Sequence, residues 1–429
     1  MHQPVPDPGP RVLHLAQPVD GGVARVVLDL TRAQLAAGLR VTAACPGGAL
    51  AAGLRELGAD VRDWRAARSP GPGLPGEVRR LARLVDEVRP ALVHAHSAKA
   101  GLAARLAVRG RVPTVFQPHA WSFEAVGGLT SALALRWERW GARWADRVVC
   151  VSEAERATGL RAGVRAAYAV VPNGIDTTRF APAPSTGTPS AAEPGDEGSP
   201  LVVCVGRLCR QKGQDVLLRA WQDVLGALPR ARLVLVGDGP EREALRQQAP
   251  PSVRFTGAVA DPVPWYRTAD LVVLPSRWEG MALAPLEALG CGTPVVVTDV
   301  DGARESMPPA LVAHCVVPPE DPVALAGAVT ALLSDPPLRA TLGDQGRRHV
   351  LSTHDIRHTA ARITSLYGDL LGTTDTGPGT ACPAPGTTDA GRGAADPPPG
   401  TARPGPATLP GAGEAAQPVS SECRESIHS

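Results

Sequence analysis

The sequence is nearly devoid of lysine. Of its 44 basic residues only Lys99 and Lys212 are lysines, and the others are arginines. Aromatic residues are also scarce, at 3% of the 429 positions. Because arginine replaces lysine almost everywhere else, the lysine kept at position 212, beside a glycine, indicates a site that favours a compact ammonium group.

Other features are missing, and each absence argues against a class of protein. No apolar run reaches the ~18 residues of a membrane-spanning helix. The opening residues MHQPVPDPGP lack the basic and apolar regions of a secretory signal. The eight cysteines form no C-x-x-C pair, which argues against a disulfide framework or a zinc site. We therefore expect a cytoplasmic protein with reduced thiols.

Charge is distributed unevenly along the chain. Residues 1–180 contain 24 Lys and Arg against 15 Asp and Glu, whereas the net charge of the whole chain is only +2. A basic front half favours an anionic partner such as a membrane surface or a phosphorylated acceptor, although arginines on solvated helix faces explain it equally well. Nothing resembles a nucleic-acid-binding module, so we expect no nucleic-acid partner.

Short, continuously apolar runs alternate with amphipathic stretches of helix length. Such runs suit parallel strands that are buried on both faces, and their alternation with helices predicts two α/β domains with doubly wound, Rossmann-like sheets. Five runs lie in the front half and five in the back half, at residues 11–17, 40–46, 91–97, 113–120, 147–152, 201–208, 231–239, 253–257, 271–276 and 294–300.

Two segments interrupt this alternation. Residues 181–200 contain no Leu, Ile, Val or aromatic residue, which predicts an interdomain linker. Residues 372–429 contain ten prolines and no aromatic residue, which predicts a disordered tail. We expect a front domain at 11–180 and a back domain at 201–353, with ligands bound in a cleft outside the carboxyl ends of the strands.

The back half contains two glutamates in a strand–loop–helix context. Glu279 follows a strand in SRWEGMALAPLEALG, and Pro285 suits the first position of a helix, which places Glu287 in the first helical turn. The helix dipole explains Glu287 by itself, but the two carboxylates together suit a polyol, since each accepts two hydroxyl protons. Donors for phosphate oxygens are expected from the amides between them, those of Gly280, Met281, Ala282 and Leu283.

The stretch VGRLCRQKG predicts an anion site beside these glutamates. Gly206 ends a strand and allows a ligand to approach the backbone, and Arg207 and Lys212 flank the loop before a helix at about 213–228. A guanidinium pairs bidentately with a diphosphate, and an ammonium adds a compact point charge. Basic loop residues are usually only solvated, but the retained lysine favours the diphosphate interpretation.

The front half offers two weaker signals. Gly21 and Gly22 stand at a strand-to-helix turn that suits the close approach of a substrate. His119, in QPHAWSF, follows a strand at the edge of the predicted cleft. A structural role explains this histidine as well as a catalytic role does.

Together these motifs resemble those of the GT-B glycosyltransferases of family 4, retaining enzymes that use nucleotide-sugar donors. The resemblance rests on the E-x7-E spacing of Glu279 and Glu287, on Arg207 and Lys212 in VGRLCRQKG, and on VVPNGIDTTRF, LVLVGDGPERE and HAHSAKAG in the expected order. It covers roughly residues 11–371. One departure is Asp301, where a glycine is common, and it is expected to alter the donor-side loop.

The resemblance implies roles on the donor side. Arg207 and Lys212 would bind the donor diphosphate, beside Gly206 and the loop at 280–283. Glu287 would hold the ribose hydroxyls, and Glu279 would contact the sugar hydroxyls as a catalytic residue.

It also implies roles on the acceptor side. His119 would lie by the reacting sugar as a second catalytic residue, and Gly21 and Gly22 would border the acceptor. A helix at 354–371 would cross back onto the front domain.

The expected chemistry uses no metal and no other cofactor, with the nucleotide sugar as a substrate. No Asp-x-Asp stands where a metal-dependent transferase places one, so Arg207 and Lys212 would neutralise the departing diphosphate. No front-domain carboxylate nucleophile is evident, which favours front-face attack with retention. A nucleotide-sugar 2-epimerase-like isomerase and a non-catalytic nucleotide-sugar-binding protein are less favoured alternatives.

The acceptor is indicated only indirectly. The stretch SALALRWERWGARWADR, residues 131–147, places Trp137, Trp140 and Trp144 at i, i+3 and i+7 alongside four arginines. Tryptophans packed on the sheet are the favoured interpretation, and an interfacial helix at the inner face of the membrane is the alternative. HSAKAG and PHAWSF resemble segments of cell-surface polysaccharide enzymes, which implies a lipid-linked glycan acceptor. A small soluble acceptor, a cyclitol or natural product, remains open.

Overall fold

A seven-stranded parallel sheet forms the centre of the front half. The structure, a computed structural model, describes residues 9–183 and 198–372. The strands lie in the order β3-β2-β1-β4-β5-β6-β7. They are β1 (Arg11–Ala16), β2 (Arg40–Cys45), β3 (Asp60–Asp63), β4 (Leu92–His96), β5 (Thr114–Gln117), β6 (Arg147–Cys150) and β7 (Tyr168–Val170).

A second parallel sheet, of six strands, forms the centre of the back half. Its order, β10-β9-β8-β11-β12-β13, repeats the pattern 3-2-1-4-5-6 of the front sheet when each half is counted from its own first strand. This is the Rossmann order, in which the direction of winding reverses beside the first strand. The strands are β8 (Leu201–Val205), β9 (Arg232–Val236), β10 (Val253–Gly257), β11 (Leu271–Leu274), β12 (Val295–Thr298) and β13 (Val316–Val317).

Helices follow most of the strands and cover the sheets. Four of them begin at a Ser or Asp N-cap, Ser152, Asp321, Asp335 or Asp355, whose side chain accepts a backbone amide. The helices are α1 (Gly21–Ala36), α2 (Ala49–Glu56), α3 (Leu74–Val88), α4 (Ala98–Val108), α5 (Gly128–Gly141), α6 (Glu153–Arg161), α7 (Gln214–Ala227), α8 (Arg242–Gln248), α9 (Val263–Thr268), α10 (Leu283–Gly290), α11 (Pro309–Cys315), α12 (Pro322–Ser334), α13 (Pro336–Thr353) and α14 (Ile356–Leu371).

The predicted fold class, two Rossmann-like α/β domains, is confirmed. All ten predicted strands form, but three further strands were missed. These three, β3, β7 and β13, all lie at sheet edges, where a strand has only one neighbouring strand. Edge strands carry a weaker apolar signal, as the DVRD sequence of β3 shows. Most of the predicted linker and nearly all of the predicted tail lie outside the described residues.

The last described helix, α14, packs on the front domain rather than on the back domain that precedes it. Ile363, Leu366 and Tyr367 join Val12 and Leu30 in one apolar cluster. Just before this helix, Ile175 and Asp355 form a β-bridge between the segment that leaves the front domain and the segment that returns to it. The chain therefore crosses between the halves twice, which holds the two carboxyl edges together.

None of the described helices is long and apolar enough to cross a membrane.

Candidate active site

The predicted Arg–Lys loop and the predicted acidic loop meet at the carboxyl edge of the second sheet. Lys212 ends a short 3-10 turn after β8, and Glu279 lies in the loop after β11, the strand that pairs with β8. Lys212 Nζ donates a hydrogen bond of 2.5 Å to Glu279 Oε1. Ser276 Oγ donates one of 2.7 Å to the same oxygen. Two motifs that are distant in sequence thus form one charged centre.

One glycine allows this contact, and a second lies against the lysine side chain. Gly213, directly after the lysine, has a φ of +66°, and a Cβ there would lie 2.0 Å from the carbonyl oxygen of Pro275. Only glycine fits such a position, so the loop after β8 can lie directly against the end of β11. At Gly206 a Cβ would lie 3.7 Å from the Lys212 side chain, which places the lysine stem over the end of β8.

Arg207 is half-buried and lies near a second arginine from the front domain. Burial, and after it the nearby Arg207 guanidinium, lowers the pKa of Arg68, which follows β3. Within residues 9–183 and 198–372 neither guanidinium forms an ion pair with a carboxylate. Two guanidinium groups without a salt-bridge partner among the described residues, one of them on the loop that also carries Lys212, make this part of the cleft attractive to a multiply charged anion. Arg68 was not predicted from the sequence.

The loop from Gly280 to Leu283 is held by its carbonyl groups. Ser152 Oγ donates to the Gly280 oxygen at 2.9 Å, and Asn173 Nδ2 donates to the Met281 oxygen at 2.8 Å. The amides of Gly280, Met281 and Ala282 have no acceptor within the described ranges. With the Gly280 and Met281 carbonyls bound by the front domain, these amides precede α10 as free donors, an arrangement that suits phosphate or sugar oxygens.

Glu287 lies further along its helix than the sequence indicated. The helix α10 begins at Leu283, so Pro285 is its third residue and Glu287 its fifth, and the predicted first-turn placement is wrong. The backbone of Ala282 is extended, and the helix begins at the next residue, two positions before Pro285. The Tyr266 hydroxyl donates to Glu287 Oε2 at 2.7 Å. Burial raises the pKa of Glu287, and the tyrosine hydrogen bond opposes this shift.

The glycine pair of the front domain borders the loop at 280–283, which we call the donor loop after its predicted role. Gly21, with a φ of +74°, begins α1 directly after Asp20. A Cβ at Gly22 would lie 3.9 Å from Leu283 Cδ1, in contact with the first residue of α10. The structure thus brings the predicted acceptor-side turn to the predicted donor-side helix.

His119 lies just past β5 in a strained segment of the front domain. Its φ is +58° and that of Ala120 is +118°, values that L-residues rarely adopt. Burial lowers the pKa of His119 to about 3, so its ring is neutral. The Ala120 amide donates to Glu155 Oε1 at 2.7 Å, and this buried carboxylate fixes the segment.

Glu155 and Ser152 were not singled out from the sequence, although a signal was present. Their spacing is the capping-box pattern S-x-x-E at the start of α6. Ser152 Oγ accepts the Glu155 amide at 3.0 Å, while the Glu155 carboxylate accepts the Val151 amide at 2.7 Å. Burial raises the pKa of Glu155 to about 8. A Cβ at Gly280 would lie 2.8 Å from Glu155 Oε1, so this carboxylate also supports the donor loop.

Asp301 and Glu305 join the back domain to α6. Thr158 Oγ1 donates to Asp301 Oδ2 at 2.7 Å. The amides of Glu153 and Ala154 donate to the Glu305 carboxylate at 2.7 and 2.9 Å. Asp301, which stands where a glycine is common in the family that the sequence resembles, therefore accepts a hydrogen bond that joins the two domains.

The three tryptophans, two on α5 and Trp144 on the 3-10 turn that follows it, pack mainly on one another rather than on the sheet. The ring centroids of Trp137 and Trp140 lie 5.5 Å apart, and those of Trp140 and Trp144 lie 4.4 Å apart. The expectation of core packing fails for Trp140, which is 43% exposed. The Arg143 guanidinium lies over the Trp140 ring at 4.8 Å from its centroid and covers only part of it.

These features define the chemistry that the cleft can perform. Cations and free amides suit a diphosphate, Glu279 suits sugar hydroxyls, and His119 and the glycine turn face them from the other domain. Two facing Rossmann-like domains with such a cleft define the class of two-domain glycosyltransferases.

Comparisons with known proteins give the family. The family models for group 1 glycosyl transferases and for glycosyltransferase family 4 match residues 199–335 and 20–179. The chain belongs to the family 4, group 1 glycosyltransferases. Its fold is similar to that of HepE from Anabaena in complex with UDP-glucose, with a TM-score of 0.73, 23% identity, and coverage of 84% of this chain and 100% of that chain.

Two relatives illustrate the range of similarity. A GDP-mannose-dependent alpha-(1-6)-phosphatidylinositol monomannoside mannosyltransferase of Mycolicibacterium smegmatis is 35% identical over 52% of this chain and 62% of its own length, which is less than two thirds. An alpha-maltose-1-phosphate synthase of the same organism is 30% identical over 71% of this chain and 88% of its own length.

Proposed function

We propose that this enzyme transfers a hexosyl group, with retention of configuration, from a nucleotide sugar to a lipid-linked glycan in cell-surface assembly. The observation that carries the proposal is the contact of Lys212 with Glu279 beside the free amides of the donor loop. An ammonium, a carboxylate and unpaired amides at one strand edge match a diphosphate joined to a sugar.

On the donor side, Arg207 and Lys212 bind the diphosphate and Glu279 accepts hydrogen bonds from the sugar hydroxyls. Lys212 has three N–H donors, so it can keep its bond to Glu279 while it donates to a phosphate oxygen. Glu287 keeps one oxygen on Tyr266 and offers the other to the ribose. These cations replace a metal ion in stabilising the departing diphosphate, so no metal is required.

In the transfer step, the acceptor hydroxyl attacks the anomeric carbon as the bond to the diphosphate breaks. The hydroxyl approaches from the face that the diphosphate leaves, and the leaving phosphate takes its proton. The free amides at 280–282 and the two cations stabilise the charge that develops on the diphosphate. This route needs no protein nucleophile.

The acceptor is a lipid-linked glycan. In support, the relatives include enzymes named for phosphatidylinositol mannoside, for lipopolysaccharide core and for a diphosphoundecaprenol-linked sugar. The synthase of maltose 1-phosphate supports the second candidate, a small soluble acceptor, because its alignment covers 88% of its length.

The helix α5 supports contact with a membrane. Leu129 and Leu133 are 86% and 68% exposed on this helix, and the half-exposed Trp140 continues their line. Arg136, Arg139 and Arg143 are exposed beside them. Glu138 is the one acid on α5, and it is buried against Arg105 at 2.8 Å. An exposed surface that is apolar and cationic without an exposed carboxylate suits an anionic lipid surface, at the inner face of the membrane.

The donor proposal is tested by thermal shift in the absence of metal, with GDP, UDP, ADP and their sugar conjugates. One nucleotide family should raise Tm, since a ligand that binds only the folded state stabilises it. The stabilising conjugate is then incubated with membrane lipid extract and with soluble sugars. Sugar transfer to lipid supports the proposal, transfer only to soluble sugars supports the second candidate, and no transfer to either contradicts both.

The membrane contact is tested by sedimentation with vesicles of phosphatidylglycerol and phosphatidylcholine. The triple variant Leu129→Ser, Leu133→Ser, Trp140→Ser should lose most of the vesicle-bound fraction. The matched control is Val323→Ser, at a position 71% exposed in the back domain, and it should bind like the wild type. Equal binding by the triple variant would contradict the assignment to α5.

A further inference from the structure

We propose that a buried chain of side chains behind His119 fixes its tautomer and orientation, and that Tyr367 of α14 is a positioning residue in this chain. The proposal rests on the proposed transfer reaction for its kinetic consequence, but the tautomer itself can be measured without activity. The side chains of this network lie on β1, α1, β4 and α14, with His119 just past β5, so the helix that returns from the back domain supplies one end.

The hydrogen-bonded chain of side chains runs without a break from the cleft into the front domain. His119 Nε2 lies 3.3 Å from His96 Nδ1, and His96 Nε2 lies 2.9 Å from His14 Nδ1. His14 Nε2 lies 2.7 Å from Gln34 Oε1. Each ring therefore uses one nitrogen toward each neighbour. His14 and His96 are fully buried, so no water competes for these bonds.

The amide oxygen of Gln34 determines which atom donates in each hydrogen bond between these side chains. An amide oxygen only accepts, so His14 must donate from Nε2 and, being neutral, must accept at Nδ1. His96 then donates from Nε2 and accepts at Nδ1, and His119 in turn donates from Nε2. The proton of His119 is thereby held on the nitrogen that faces the interior, and its Nδ1 carries the lone pair.

The side-chain amide of Gln34 also connects these hydrogen-bonded side chains to α14. Gln34 Nε2 donates to the Tyr367 hydroxyl at 3.4 Å, and this hydroxyl lies 2.5 Å from His94 Nδ1, the acceptor left for its own proton. The Tyr367 hydroxyl thus anchors the Gln34 side chain beside His14, and in the structure the amide oxygen faces His14. A flipped amide would present N–H to His14 and reverse every bond up to His119.

His119 Nδ1 forms no hydrogen bond with any described residue, and it is not among their buried unpartnered atoms. A lone pair at the cleft accepts a hydrogen bond from a hydroxyl and repels a phosphate oxygen. The network therefore assigns His119 as an acceptor for a substrate hydroxyl. It does not assign His119 as an acid for the departing diphosphate.

A metal ion is the rival explanation for the cluster. The ring nitrogens of His14, His94 and His96 lie within 4.8 Å of one another and suit a metal by number and type. However, a metal would need lone pairs on all three rings. The 2.9 Å contact of His14 with His96 places a proton between two of them. The hydrogen-bonded chain uses both ring nitrogens of His14 and of His96, whereas His94 Nε2 is buried without a partner among the described residues.

The first experiment is 15N NMR of histidine-labelled full-length protein together with its metal content. His119, assigned by comparison with His119→Asn, should show the neutral tautomer protonated at Nε2. Purified protein should contain no stoichiometric zinc or other transition metal. An Nδ1-protonated His119, an imidazolium, or one bound metal ion that is lost in His94→Asn would overturn the proposal.

The second experiment separates positioning from folding. Tyr367→Phe should lower kcat by roughly 10-fold with an unchanged KM for the donor, because a misaligned His119 loses one hydrogen bond to the substrate hydroxyl in the transition state, and one such bond is worth roughly a factor of 10 at most. Tyr168→Phe is the matched control, since it removes a hydroxyl bonded to the Val164 oxygen in the same domain, and its kcat should not change.

A conservative variant completes the test. His96→Asn keeps an acceptor near the Nδ1 position and should retain more activity than His96→Leu, which keeps none. Equal losses in both His96 variants, or no loss in Tyr367→Phe, would overturn the positioning role. If the wild type transfers no sugar, the proposed function fails, while the NMR experiment still decides the tautomer.

Discussion

The two lysines of the chain each pair with a glutamate, but in different surroundings. Lys99 is 5% exposed and lies 2.7 Å from Glu77 Oε2, and it also donates to the Ser69 oxygen at 3.2 Å. Lys212 is 20% exposed, and Glu279 is the one group among the described residues to which its ammonium donates. The first ammonium is almost enclosed by the protein, whereas the second is open to a ligand.

The comparison shows why a rare residue type alone does not identify a site. Lys99 and Glu77 fix the segment between β3 and α3, since Glu77 Oε1 also accepts the Ala67 amide at 3.0 Å. That segment carries Arg68 to the cleft. Lys99 therefore supports the loop that carries Arg68, while Lys212 is the lysine that we propose binds the donor.

The largest expected effect is that of Glu279→Gln. The variant keeps the size of the side chain but removes the charge that accepts sugar hydroxyls and pairs with Lys212. We expect transfer to fall by roughly 10³-fold or more, at the upper end of single-group effects in an active site, with nucleoside diphosphate affinity within a few-fold of wild type.

Steady-state kinetics and calorimetry measure the two quantities for Glu279→Gln. The control is Glu320→Gln, at an exposed glutamate paired with Arg277. Full activity in Glu279→Gln would remove Glu279 from the site.

The next effect contrasts Lys212→Met with Lys99→Met. Lys212→Met should weaken nucleoside diphosphate binding by roughly 10- to 100-fold, the loss of one or two charge-assisted hydrogen bonds, with little change in stability. Lys99→Met leaves Glu77 buried without its cation and should lower the free energy of unfolding by about 3–5 kcal/mol. Urea titration and calorimetry on both variants test the contrast, and the reverse assignment of effects would refute it.

A smaller effect is expected at Glu155, a buried glutamate without a lysine partner. Burial raises its pKa to about 8 from an ordinary 4.5, so the folded state holds more protons between these values than the unfolded state does. Stability from this group is therefore present at low pH and lost as pH rises toward 8.

Glu155→Gln removes this dependence on pH. In urea titrations at pH 5, 6.5 and 8, the stability of the wild type relative to Glu155→Gln should fall with rising pH. A difference that stays constant or rises would show that the Glu155 carboxylate is ionised throughout.

The donor half of the site was largely predictable, because each of its parts is local. Glu279, Lys212 and Gly206 follow strands whose apolar runs are unmistakable, and strand order then brings them to one edge. The start of α10 was misplaced by two residues because Pro285 is compatible with any of the first helical positions. The resemblance to a family supplied the roles that position alone does not give.

The front half was less predictable because its features depend on contacts between distant segments. His14, Gln34, His96 and Tyr367 belong to four different elements, and each looks unremarkable where it stands in the sequence. Arg68 reaches the cleft only because Lys99 and Glu77 hold its loop. No spacing pattern records such a network, since its members meet only when α14 returns to the first sheet.

The most direct test of the central claim, that side-chain cations rather than a metal bind the donor diphosphate, is the transfer rate with EDTA and with added Mg²⁺ or Mn²⁺. We predict the same rate within about two-fold under the three conditions, because Arg207 and Lys212 already supply the charge. A rate that falls at least 10-fold in EDTA and returns with either metal would contradict the claim.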